Sequence, residues 1–123
     1  MTTKELGTGE PRVGVCMFDL VKWLMERTNR FPKNYRVTLG DRIDQQALTM
    51  LALVQKASVR SDKIGLLRDL NEEINVLRSL TRLASDLGCI NGKQYEFAAR
   101  QTEEIGRQVG GWIKQQRQRG QTA

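Results

Sequence analysis

Residues 67–84, LRDLNEEINVLRSLTRLA, decide the fold of this chain. Leu67, Leu70, Ile74, Leu77, Thr81 and Ala84 step by three and four without a break, the spacing that lines side chains along one side of an α-helix. A continuous seam of this kind is the pattern of lengthwise packing between nearly parallel or antiparallel helices. Gly88 follows where a left-handed residue ends a helix at little cost. Asn91 with Gln94 then forms a variant capping box that opens the next helix. The link from Gly88 to Asn91 is so short that the two helices must be antiparallel neighbours.

Working outward, a second seam follows: Tyr95, Ala98, Thr102, Ile105, Val109 and Trp112. Upstream, Ser61 or Asp62 is placed to cap the Leu67 helix. Before it, Ile43, Ala47, Met50, Leu51 and Val54 give an apolar face that Leu48 and Leu53 widen, as expected of a helix contacted from two sides. Thr38 or Asp41 is positioned to cap that helix. The first helix is expected from about Gly14 to Asn29, with Phe18, Val21, Leu24, Met25 and Thr28 on its apolar face. Phe31-Pro32 ends it, and no proline follows Pro32. Nothing shows the sustained alternation of a strand. The expected fold is all-α, an antiparallel up-down-up-down four-helix bundle over residues 14–118. A flexible leader over 1–13 and a basic flexible tail over 119–123 flank it.

At 123 residues there is room for one domain with a real core. Hydrophobic content of 39% is too high for a disordered chain. No run approaches the ~18 apolar residues of a membrane span, and the N-terminal residues lack the apolar core of a signal peptide. A cytoplasmic protein with no membrane contact is expected. Cys16 and Cys89 are far apart and no histidine is present, so no familiar zinc site can assemble. They read as buried free thiols.

The missing histidine also removes the commonest general base. Glu72-Glu73 and Glu103-Glu104 are adjacent pairs, which diverge by about 100° on a helix and cannot converge on one metal. They read as a solvated face. There is no phosphate-cradling glycine loop. Neither catalysis nor a cofactor or metal is expected.

Charge points elsewhere. Twenty Lys and Arg against 14 Asp and Glu leave +6, which favours a polyanionic partner. Arg100, Arg107 and Lys114 are seven apart and form a line along the last helix, flanked by Glu96, Glu103 and Glu104. Arg78 and Arg82 form a less neutralised patch one turn apart, with Arg68 within a quarter-turn. Beyond Glu104 only cations follow, Arg107, Lys114, Arg117 and Arg119, and Arg27, Arg30, Lys33 and Arg36 occupy a second acid-free stretch. Arginine without interleaved aromatics suits phosphate contact rather than base stacking. Gly106, Gly110 and Gly111 each cost the last helix roughly 1 kcal/mol against alanine. A small-residue face through Ala99, Gly106 and Gly110 allows close approach, either within the bundle or between subunits. Trp112 and Ile113 beside it would supply apolar area to an oligomer contact.

Phe31-Pro32-Lys33 followed by Thr38-Leu39-Gly40 and Ile43 resembles the four-helix-bundle superfamily of ribosomal-RNA intervening-sequence proteins. Leu77-Arg78, Arg82-Leu83 and Gly110-Gly111-Trp112-Ile113 leading into Arg119-Gly120-Gln121 look more particularly like the accessory variability determinants of diversity-generating retroelements. The likeness runs from about Val15 to Gln121. It implies a homopentameric barrel of four-helix bundles with a basic surface. It also implies association with the retroelement reverse transcriptase, and binding of RNA or DNA in support of mutagenic reverse transcription. Intervening-sequence proteins tend to finish the second helix with an Ala-Glu-Gly turn, whereas Val54-Gln55-Lys56-Ala57 runs on here. That departure favours the retroelement branch over an intervening-sequence-type protein of undefined role, and an independent enzyme stands third.

Overall fold

The computed structural model describes residues 12–122. Four long helices account for most of them: α1 (Arg12–Thr28), α2 (Asp41–Val59), α3 (Ile64–Asp86) and α4 (Gly92–Thr122). No strand occurs among the described residues. α1 packs on α2 and α4, and α3 packs on α2 and α4, so the helices close into a ring around one core.

Contacts across each pair fix the direction. On α1 and α2, Gly14 approaches Val54 while Thr28 donates to Asp44 Oδ1 at 2.6 Å. On α1 and α4, Cys16 meets Gln108 and Trp23 packs against Phe97, their rings tilted by 41° with centroids 4.9 Å apart. In both pairs one number rises as the other falls, so the helices are antiparallel. Short links force the same for α2–α3 and α3–α4. The up-down-up-down bundle is therefore observed.

The α3 seam is buried as its spacing requires, from Leu67 through Ala84. On α4, Ala98, Thr102, Ile105 and Val109 are buried, and Tyr95 and Trp112 pack half-buried at its ends. Thr81 and Thr102 fit into this apolar interior by donating their hydroxyls to the carbonyls of Leu77 and Ala98 one turn back. Gln46 is buried too, and its amide donates to the Glu73 carbonyl and carboxylate, which pins the register of α2 on α3. Glu73 is thus not simply part of a solvated face.

Helix boundaries confirm one end and correct others. Gly88 has φ +77°, and Asn91 and Gln94 exchange bonds of 2.8 and 2.9 Å as a capping box does. Neither Thr38 nor Asp41 caps α2: a π-helical turn over Arg36–Gly40 feeds into it, with Gly40 against Phe31 and Thr28. Lys63 precedes α3 without a side-chain cap, so the Ser61 or Asp62 expectation fails. α4 continues to Thr122, and no separate tail begins at residue 119. The largest correction is on α1. Its buried face is Val13, Met17, Leu20, Val21, Leu24 and Thr28, whereas Phe18 is 55% exposed and Met25 40%. Period alone offered two overlapping stripes, and packing against α2 and α4 chose the one centred on Met17 and Leu24. The leader expected over 1–13 lies, but for Arg12 and Val13, outside the described residues.

Candidate nucleic-acid interface

Beside its buried seam, α3 carries a second stripe that also steps by three and four: Arg68, Asn71, Asn75, Arg78 and Arg82. All five are exposed. Helical spacing turns this stripe toward α4, and Arg78 shows where it lies. Arg78 Nη1 donates to Asn75 Oδ1 at 2.9 Å, and a Cβ placed on Gly106 would stand 3.3 Å from Arg78 Nη2. The guanidinium therefore rests across the glycine on α4. The remaining close neighbour of that position is Ile74, also on α3, so the approach is one within the chain.

This contact explains why a glycine sits mid-helix at 106. Gly110 and Gly111 are different: nothing lies within 4 Å of a Cβ at either. Trp112 and Ile113 pack half-buried against the core, and Lys63 Nζ sits 5.0 Å from the Trp112 ring. Of the four residues expected at an oligomer contact, then, Gly106 meets its own α3, Trp112 and Ile113 lean inward, and Gly110 faces open space.

A surface groove of about 310 Å³ runs between α3 and α4, lined by Arg78, Thr81, Tyr95, Ala99 and Glu103. Glu103 is the one carboxylate on that lining. Among the described residues, neither Arg68, Arg78 nor Arg82 has an ion-pair partner within 4 Å. The α4 row is treated differently: Arg100 pairs with Glu96 at 3.8 Å and Arg107 with Glu104. Such exposed pairs add little stability, but they do dilute the local positive field.

The lower end of the bundle gathers further cations. α4 has 31 residues against 23 in α3, about 46 Å against 34 Å at 1.5 Å per residue. Its last turns run beside the α2–α3 link, where a groove of about 520 Å³ is lined by Ser61, Asp62, Lys63, Gln116 and Arg119. Lys114 and Arg117 are exposed on the same turns. Arg12 lies near this end, in a groove shared with Trp112 and Gln115. The other acid-free stretch is less open. Arg27 lies over Trp23 at 5.8 Å, and Arg36 shares a groove with Glu26, Asp41 and Asp44.

The structure thus brings Arg68, Arg78 and Arg82 onto one face and adds Asn71 and Asn75, which the sequence reading passed over. Stepping back from Arg78 by three and seven residues would have found them. Lys63 and Arg12 join Lys114 and Arg117 only through tertiary packing. Cys16 and Cys89 are free and half-buried, and burial raises the Cys89 thiol above its usual value.

What such a surface can do is hold phosphates. Arginine and asparagine side chains supply donors along a groove, with no aromatic platform for bases. Among the described residues no group of three acidic or sulfur-bearing side chains could hold a metal ion, and no helix is long and apolar enough to cross a membrane. Comparison with curated proteins found no match. The model of the bAvd-like family, however, matches residues 16–116, which takes in the whole of α2 and α3, most of α1 and α4, and every residue of the α3 stripe. This chain belongs to the bAvd-like family and is an accessory protein of the Avd type.

Proposed function

We propose that this protein is a non-catalytic, cytoplasmic accessory factor of a diversity-generating retroelement. In this reading it assembles as a homopentameric barrel and joins the reverse transcriptase to template RNA or cDNA during mutagenic reverse transcription. Family membership supplies the setting. The observation that carries the binding role is the exposed stripe of Arg68, Asn71, Asn75, Arg78 and Arg82, which has no ion-pair partner among the described residues. Arg100, Arg107, Lys114, Arg117 and Arg119 extend the cationic surface along α4.

Contacts of this kind read backbone and charge, not sequence. Binding therefore releases counterions, and for single strands the log–log salt slope is about −0.7 per phosphate contacted. The test is titration of unrelated RNAs and DNAs at several salt concentrations, together with co-purification of the polymerase. Steep salt dependence with little sequence preference is expected. A flat salt response, or failure to retain either partner, would count against the role. The purified chain alone should extend no primer and hydrolyse no nucleotide.

A further inference from the structure

Glu103 is the one carboxylate on the α3–α4 groove, and the helices leave it without a partner. It is exposed and lines the groove with Arg78, Thr81, Tyr95 and Ala99. The cations nearest it along α4 are Arg100 and Arg107, about one turn before and after, yet these pair with Glu96 and Glu104. Arg78 shares the groove but donates to Asn75 and rests across Gly106. Among the described residues Glu103 therefore has no ion-pair partner within 4 Å, although arginines flank it on α4 and face it on α3.

An unpaired carboxylate is out of place on a surface that meets phosphates, because it repels them. Ionised, it can only accept hydrogen bonds, so a favourable role here requires a donor on the ligand. A single strand offers base N–H groups, which change with sequence, and the ribose 2′-hydroxyl, which every RNA nucleotide carries beside its phosphates. The hydroxyl fits the stripe. Arg78 and Arg82 stand one turn apart, about 6 Å along α3, and grip a strand by its backbone, so the sugar is what lies between them and Glu103. Of the other lining residues, Thr81 spends its hydroxyl on the carbonyls of Leu77 and Arg78, Ala99 offers a methyl group, and Tyr95 packs half-buried against the core. At about 310 Å³ the groove has room for one sugar, not for a duplex.

We infer that this groove takes the ribose of single-stranded RNA, with Glu103 accepting a hydrogen bond from the 2′-hydroxyl while Arg78 and Arg82 hold the flanking phosphates. Glu103 is then the residue that separates RNA from DNA: a deoxyribose leaves the carboxylate facing phosphates with nothing to accept. The inference rests on the nucleic-acid reading above and adds to it a choice of sugar that charge alone does not make.

The experiment titrates the full chain with short oligouridylates of one length in three sugar forms, ribose, 2′-deoxyribose and 2′-fluororibose, at one low salt concentration. The fluorinated sugar keeps the pucker of RNA but has no proton to donate. Ribose is expected to bind roughly tenfold tighter than either analogue, the worth of an exposed hydrogen bond to a charged group. Glu103→Ala should bring the three sugars to equal affinity and, by removing repulsion, tighten the deoxy form. Glu103→Gln keeps an acceptor and should retain part of the ribose preference. Because Glu103 is exposed and alanine favours helix, circular dichroism should not change in either variant. Equal binding of all three sugars by the wild-type chain would overturn the ribose assignment and leave polyanion binding standing. So would a preference that Glu103→Ala does not alter, or a fluorinated strand bound as tightly as ribose, which would make strand shape the cause. A chain that binds none of the oligomers would overturn the nucleic-acid reading itself.

Discussion

The two outward flanks of α3 are built from the same helical period and opposite chemistry. Toward α4 runs Arg68, Asn71, Asn75, Arg78, Arg82, a row of donors with no ion-pair partner among the described residues. Toward α2 runs Val76, Leu80, Leu83, Leu87, an apolar row edged by carboxylates. Between them lies the buried seam that holds the helix in place. One helix thus separates three surfaces by angle: a buried seam inside, a row of donors on one flank, an apolar row on the other. Because the flanks do not share side chains, substitutions on one should leave the other's surface intact.

The largest effect should come from reversing the donor row. Arg78→Glu with Arg82→Glu should lower nucleic-acid affinity by orders of magnitude, since repulsion replaces attraction at two phosphate contacts. Exposed substitutions usually move stability by less than ~0.5 kcal/mol each, so helicity and assembly should persist. Binding titrations, circular dichroism and light scattering on one preparation check all three. A double variant that folds, assembles and binds normally would reduce the stripe to a solvated surface.

Next is the buried seam between the flanks. Leu77 is fully buried, so Leu77→Ala should cost about 2–5 kcal/mol through lost transfer energy and the cavity left behind. Denaturant melts read this directly. A smaller penalty at Leu77 than at the exposed Leu83 would invert the assignment of inner and outer stripes.

A subtler probe separates the glycines of α4. At Gly110 a methyl group meets open space, so Gly110→Ala should stabilise the helix by roughly 1 kcal/mol and leave binding and assembly unchanged. At Gly106 the new Cβ crowds Arg78 Nη2, the mobile end of a long side chain, which can shift aside. Gly106→Ala should therefore also gain stability, by less, while displacing the guanidinium and weakening nucleic-acid binding modestly. Loss of assembly in either variant would return the oligomer contact to α4.

Arg100→Glu should have the smallest effect of the set. Glu96 already pairs with Arg100, and Arg107 is held by Glu104 on the same row. Its loss of affinity should fall at least about tenfold short of that of the α3 double reversal, because an exposed, partly neutralised charge is worth no more than ~1 kcal/mol. Equal losses would mean that α4 shares the binding surface with α3.

Much of this was legible before any coordinates. The Leu67–Ala84 seam, the φ +77° glycine at 88 and the Asn91–Gln94 box all follow from local rules, in which a residue's role depends on neighbours three or four positions away. The neutralisation of Arg100 and Arg107 was readable for the same reason, since helical pairing is local. The face of α1 was not. Phe18 and Met25 fit an apolar period as well as Met17 and Leu20 do, and only the positions of α2 and α4 decide between overlapping stripes.

The sequence by itself determined that the chain makes four helices, that α3 and α4 turn back on each other, and that arginine outweighs acid along α4. Those are consequences of periodicity, capping and composition, which a linear pattern carries in full. Tertiary structure alone decided that Gly106 makes room for Arg78, that Lys63 and Arg12 join the cations at the end of α4, and that Phe18 and Met25 face outward. Each depends on which helix lies alongside and at what height. That information arises only when helices far apart in the chain close around a shared core.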